Sequence, residues 1–342
     1  MLYMKTKIVT PKEVVAHRPF FVEQQKDVAR TTAYAYCTLP RFVWFFSSLA
    51  GFFAILAVAQ AQDLEPRAYA NTPVGLNFLI VGYSYSQGGL STDPSIPLQN
   101  AKLQTNSSVF AYARSLDVFG LSGKFDVIQP TSWLAGSATL AGQSVDRTTS
   151  GFGDPRFRFS VNLYGAPALS LDEFKDYQQD IIIGASVQVT APGGEYTPSK
   201  LVNIGSNRWS VKPELGISKR FGDLTLELSA DATFYTDNNE FLGTHTRSQD
   251  PIYALQSHII YSLPYGIWAA LDGTFYAGGD TTIDGKKSND MQENTRIGAT
   301  LALPLSRNYS TKLYWSTGVV TRFGTSFDTV GILFQYRFGG GI

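Results

Sequence analysis

The chain has 342 residues, 28 Lys+Arg balanced by 28 Asp+Glu, and only 16% charged residues, against roughly 25% in an ordinary soluble domain. Zero formal net charge gives nucleic acid nothing to hold, a single Cys excludes a thiolate zinc site or a disulfide framework, and a mean hydropathy of −0.06 excludes a bundle of membrane helices. With 13% aromatics and 31 Gly, the composition points to β structure.

In chain order, the first strong feature is an apolar run over 42–59 that follows Arg41 and ends in Ala59-Gln60-Ala61 before Gln62. A basic start, an apolar middle and a small-residue end predict a secretory signal peptide cleaved near Ala61/Gln62. The run is almost long enough to span a bilayer, so a single N-terminal anchor is the alternative. Residues 1–40 are out of place ahead of such a signal, and translation is expected to start near 39–43. Taking the seven basic and three acidic groups of 1–61 from 28 of each leaves 21 and 25, a mild net of −4 for 62–342.

Beyond Gln62, period-two alternation replaces helical periodicity. From Leu224 to Phe234 every even position is apolar and every odd one is Thr, Glu, Ser or Asp; from Trp209 to Ile217 the odd positions are apolar apart from Pro213. Such strands have one apolar and one polar face. The predicted strands cover 74–86, 103–117, 122–132, 152–164, 179–190, 207–220, 223–236, 251–263, 266–277, 292–303, 310–320 and 328–338. A soluble sandwich would also alternate. Charges within strands, however, need a wet lumen, and aromatics crowd the strand ends: Tyr83, Tyr85, Trp133, Tyr164, Trp209, Tyr235, Tyr261, Tyr265, Tyr276 and Tyr309. Long loops (87–102, 133–151, 191–206, 237–250, 278–291) alternate with short turns. One longer connection on the short side holds Ser170 to Lys175, which has the pattern of a brief capped helix. The fold expected is an all-β, transmembrane, antiparallel up-and-down barrel of about twelve strands over 62–342, in the bacterial outer membrane. Its last strand carries an apolar stripe, Val330, Ile332, Phe334, Tyr336 and Phe338, of the kind that barrel-insertion machinery reads.

Several stretches then look familiar. Asp63 to Asn77, Gly151 to Phe159, Asn162 to Pro167, Thr190 to Tyr196, Asn207 to Glu214 and Gln335 to Gly341 resemble the outer-membrane transporter family named for the meta-pathway of phenol degradation. The resemblance implies a channel-like barrel linked to passive uptake of small aromatic or hydrophobic compounds, with outer-membrane lipids and a small solute as partners.

On the inward faces the alternation places Arg114, Lys124, Asp126, Arg156, Arg158, Arg208, Lys212, Glu214, Glu227, Asp231, Asp272, Arg296, Lys312 and Arg337, nine basic to five acidic. A basic ring in a narrow pore concentrates anions, which suits aromatic carboxylates better than neutral phenols. The same groups could instead pair across strands and fill the lumen. Twelve strands lie between a filled eight-stranded barrel and an open sixteen-stranded porin, so size does not decide. Residues 62–73 are too few for a plug domain but could tuck Leu64, Pro66 and Tyr69 into the barrel mouth, with 133–151 narrowing the other end.

No cofactor, metal or nucleic-acid partner is expected. An outer-membrane lipid hydrolase is disfavoured, because His258 follows Ser257 and the two would face opposite ways, while His245 lies in a loop. A structural or adhesive barrel without conductance is the remaining alternative. N-terminal sequencing of the exported protein is expected to begin at Gln62; a product still starting at Met1 would refute the signal peptide.

Overall fold

The computed structural model describes residues 65–91 and 98–341. The N-terminal extension, the apolar run, the cleavage site and Leu64 lie outside the described residues.

Closure is the dominant feature. The wall begins with β1 (Leu76–Ser91), β2 (Leu98–Val118) and β3 (Leu121–Leu140), followed by a strand broken at 153–155 into β4 (Gln143–Phe152) and β5 (Arg156–Tyr164). It continues through β6 (Ile181–Thr190), β7 (Ser210–Phe221) and β8 (Leu224–Tyr235). Small strands β9 (Asn238–Phe241) and β10 (His245–Gln249) precede β11 (Ile252–Ser262) and β12 (Trp268–Gly278); β13 (Thr281–Ile283) and β14 (Lys286–Lys287) precede β15 (Gln292–Pro304), β16 (Tyr309–Thr321) and β17 (Gly324–Gly339). Each wall strand pairs antiparallel with its sequence neighbours in the wall, and β1 pairs with β17 from Leu76↔Gly339 to Ser91↔Gly324. Counting β4 and β5 as one, the result is a closed barrel of twelve antiparallel strands. β9, β10, β13 and β14 form a separate four-stranded sheet at the long-loop end.

The faces follow the alternation and invert the usual order of a soluble core. On β7 and β8 the outward residues Leu215, Ile217, Leu226 and Leu228 are exposed, whereas the inward Ser218, Thr225, Glu227 and Ser229 are buried. Leaving one such aliphatic side chain in water forgoes about 1.5–3 kcal/mol, and the whole perimeter repeats the pattern, so lipid is its solvent. Among the described residues no helix is long and apolar enough to cross a membrane. Tyr164, Tyr261, Tyr265, Tyr309 and Tyr336 ring the turn end, and Tyr83, Trp133, Trp209 and Tyr253 the loop end, all exposed. Two aromatics expected in these girdles face inward: Tyr276 is buried and Tyr235 lies beneath the Arg208 guanidinium.

Several strands run further than alternation indicated. The 133–151 segment is not a loop: β3 and β4 continue as a hairpin closed by Ala141 (φ 49°) and Gly142 (φ 83°), both positive as a two-residue turn requires. No side chain of β4 is fully buried, so the contrast between its faces weakens while the ladder persists. The expected capped helix is a single 3-10 turn, Glu173–Asp176, in which Ser170 N–H donates to Glu173 Oε2 at 2.8 Å and Glu173 N–H to Ser170 Oγ at 3.4 Å.

Placing Arg at Leu228, near the middle of β8 on the lipid face, is expected to destabilise the barrel by about 2–4 kcal/mol, read by urea unfolding in vesicles. An unchanged midpoint would contradict the assignment of faces.

Candidate functional site

The lumen holds a cavity of about 1100 Å³ whose lining mixes wall residues with two segments that fold inward, one from each end. From the turn end, residues 65–75 enter the barrel. Their base is stapled to the wall: Leu76 N–H donates to Ser115 Oγ (2.9 Å), Ser115 Oγ–H to the Pro73 carbonyl (2.6 Å), and Val74 N–H to the Leu169 carbonyl (2.9 Å).

Further in, Tyr69 lies flat against Gly184 of β6 and Gly216 of β7, which face each other in register. A Cβ on Gly184 would sit 2.2 Å from the Tyr69 ring and one on Gly216 2.1 Å, so any side chain at either position would displace it. The Tyr69 hydroxyl donates to Glu214 at 2.5 Å, and Arg67 N–H donates to Glu227 at 2.8 Å. The Arg67 guanidinium and the Lys312 ammonium both approach the Trp268 ring, at 5.2 and 5.4 Å from its centroid, within cation–π range.

At the tip of the segment, Glu65 meets the basic wall. Both carboxylate oxygens accept from the Arg158 guanidinium, Oε1 at 2.8 Å, and Lys124 lies 3.8 Å away. Arg158 also donates to Asp126 at 2.9 Å, which Lys124 approaches at 3.6 Å. Burial alone would raise the Glu65 carboxyl, but Arg158 and Lys124 outweigh it and hold the group ionised, well below the usual carboxylate range. The two acids and two bases form a closed, neutral cluster.

From the opposite end, the 191–206 segment, not the 133–151 region, turns into the lumen. Asp154 ties it down by accepting Gly194 N–H (2.9 Å), Ser206 N–H (2.8 Å) and the Ser206 hydroxyl (2.6 Å). Arg147 donates to the Val202 carbonyl at 3.1 Å, and Val202 packs against Leu103, Leu134 and Phe327.

Of the residues expected inside, Arg156, Arg158, Arg208, Lys212, Glu214, Glu227 and Lys312 line the cavity. Lys212 lies 3.7 Å from Glu214, and Asp231 accepts from Gln256 at 3.4 Å. Asp272 and Arg296 are sealed into the inner wall: Asp272 takes His258 Nδ1 at 2.7 Å and the Thr300 hydroxyl at 3.2 Å, and Arg296 donates to Ser316 at 2.6 Å. Two residues are elsewhere. Arg114 is exposed opposite Asn77, in register with the outward series that includes Val81 and Phe110. The alternation misleads there because Phe110 to Ala113 is apolar at every position. Arg337 sits at the turn-end rim and donates to the Arg307 carbonyl at 2.7 Å, clasping the 305–308 turn.

Sequence reasoning missed Glu65, which lies in a segment without periodicity, and Arg247, which sits in the small sheet. Ser257 faces outward and His258 inward, so they do not form a nucleophile–base pair. Among the described residues no group of three or more His, Cys, Asp or Glu could hold a metal ion.

A model of the family described as "Putative MetA-pathway of phenol degradation" matches residues 82–334. Among solved structures, the chain is similar to an outer membrane channel from Pseudomonas putida F1, with a TM-score of 0.69 and 24% identity over 81% of this chain and 100% of the other. That likeness establishes the shared fold. Lower scores relate it to the transport unit of the autotransporter AIDA-I from Escherichia coli (TM-score 0.47, 9% identity, 81% of this chain and 93% of that one). The KdgM porin gives 0.42, at 11% identity over 76% and 99%. No curated protein matches significantly in sequence.

Replacing Gly216 by Leu is expected to expel Tyr69 and free the segment, so that trypsin cleaves after Arg67 in the folded barrel on the order of tenfold faster than in the wild type. Equal cleavage rates would show that the glycine pair does not hold it.

Proposed function

The chain belongs to the family of the phenol-degradation MetA-pathway, and on that premise we propose that it is an outer-membrane channel for passive uptake of small aromatic compounds, admitting carboxylates in preference to neutral phenols. The fold and the family both fit the bacterial outer membrane, and the short-turn end with both barrel termini then faces the periplasm. In this reading residues 1–61 are removed on export, and the apolar face of β17 is read by the insertion machinery.

One observation carries the anion preference. Four of the lumen cations fall into two sets. Arg158 and Lys124 are neutralised by Glu65 and Asp126 and act structurally, holding the N-terminal segment. Lys312 and Arg208 line the same cavity without an ion pair to a described residue and stack instead on Trp268 and Tyr235. Uncompensated positive charge in a narrow, partly apolar passage attracts anions more strongly than it would in open water. Aromatic faces beside the cations suit a ring carrying a carboxylate. The cavity is as large as small-ligand sites usually are, roughly 300–1,000 Å³, which leaves room for a one-ring solute to pass the inward segments.

In planar bilayers under a KCl gradient, the reversal potential is expected to lie on the chloride side. Arg208→Gln combined with Lys312→Gln should lower the chloride-to-potassium permeability ratio by about twofold or more. Cation preference in the wild type, or a ratio untouched by the double substitution, would overturn the charge-selective reading, and absence of conductance would favour a structural barrel.

A further inference from the structure

Beside the main lumen, at its long-loop end, lies a second cavity of about 250 Å³. It is lined by Tyr196, Asn203, Ser206, Arg208, Phe241 and Arg247, and it shares Arg208, Asn203 and Ser206 with the main cavity. Two guanidinium groups thus face one small space, the first on the approach to β7 and the second on β10 of the small sheet.

Neither is compensated. The acids that act on them, Asp154 and Asp237 on Arg208 and Asp290 on Arg247, do so at long range and without hydrogen bonds. Asp154 already accepts three donors from the 191–206 segment, and Glu240 accepts from Asn207 at 3.0 Å. The described partner of the Arg208 guanidinium is one neutral oxygen, Gln249 Oε1, and its Nη1 is buried with no hydrogen-bond partner. Each guanidinium instead lies over an aromatic ring, Arg208 over Tyr235 at 4.3 Å and Arg247 over Phe241 at 5.3 Å. Burial and then repulsion from Arg247 push the Arg208 guanidinium down to about 10, still fully charged at neutral pH. Two half-buried like charges facing one space without a counterion are unfavourable unless an anion visits them.

We propose that this side cavity is a binding site for the carboxylate of a one-ring aromatic acid, held by Arg208 and Arg247 with its ring among Tyr196 and Phe241. Guanidinium groups match the fork of a carboxylate better than any other side chain. A volume below the roughly 300–1,000 Å³ of drug-sized sites limits the occupant to about one ring. Because Arg208 borders both spaces, an acid captured here is released directly into the lumen. The site therefore concentrates the solute at the outer mouth, and it rests on the reading of the barrel as a channel for organic anions.

The test is calorimetric titration of the full, detergent-purified barrel with sodium benzoate, and with benzyl alcohol as the uncharged counterpart. Benzoate is expected to bind and benzyl alcohol not. Arg208→Gln and Arg247→Gln should each weaken benzoate binding on the order of tenfold, the loss of one charge-assisted contact. Arg208→Lys and Arg247→Lys, which keep the charge and disturb the fold least, should still weaken it several-fold because the fork is lost. The proposal is overturned if wild-type protein does not bind benzoate, if benzyl alcohol binds equally, or if the folded variants bind as the wild type does. Should chloride preference in bilayers persist while these substitutions leave benzoate binding intact, this site fails and the channel reading stands. Should the substitutions weaken binding while bilayers show no anion preference, the channel reading fails instead.

Discussion

The whole molecule follows from one constraint: within lipid, a strand has no water to satisfy its N–H and C=O groups, so the sheet cannot have an edge. Pairing β1 with β17 along sixteen registered positions removes that edge. Once the sheet is closed, the pleat does the rest, because each strand must present one face to hydrocarbon and the other to the enclosed space. The apolar series Leu215, Ile217, Leu226 and Leu228 faces outward for that reason, and Glu214, Ser218, Glu227 and Ser229 are committed to the inside.

That commitment creates a second problem, which the inward segments solve. Charged groups inside a twelve-stranded barrel are too crowded to be fully hydrated, and unpaired buried charge is costly. At the turn end, the chain supplies its own counterion: Glu65 completes a cluster in which Arg158, Lys124 and Asp126 would otherwise carry excess positive charge. Gly184 and Gly216 make the matching concession in the wall, where the absence of two side chains leaves a flat bed for Tyr69. An aromatic ring covering cross-strand glycines also restores the packing that glycine lacks.

How much of this could be read from the chain depends on periodicity. Where lipid lies on one side and water on the other, as over Leu224 to Phe234, alternation names the strand and both its faces. Strand ends were misjudged where that contrast fades: Ala135 to Thr139 and Gln143 to Ser150 are strand, but no side chain there is fully buried, and their small and polar composition resembles a loop. Arg114 was misplaced because Phe110 to Ala113 is apolar at every position. The inward segments were the least legible part. Pro66 and Tyr69 could be guessed from their apolar character, but Glu65 and Arg67 matter through partners 93 and 160 residues away, which no local pattern encodes. Arg247 was missed because it lies in the small sheet, within 237–250, a stretch that reads as a loop.

The two ends of the lumen therefore differ in kind, although both are rich in arginine. At the turn end, Glu65 and Asp126 neutralise Arg158 and Lys124, whose strength is spent on holding residues 65–69 against the wall, and Lys312 is left over the Trp268 ring. At the loop end, Arg208 and Arg247 have aromatic faces in place of carboxylates. A stacked guanidinium keeps its full charge while its edge stays free to donate. A carboxylate entering from the loop end thus meets two uncompensated guanidinium groups first and a packed constriction, neutral apart from the cations over Trp268, afterwards. The attraction falls along the path inward, as passage requires: a site that grips where the solute enters, followed by a region that does not hold it.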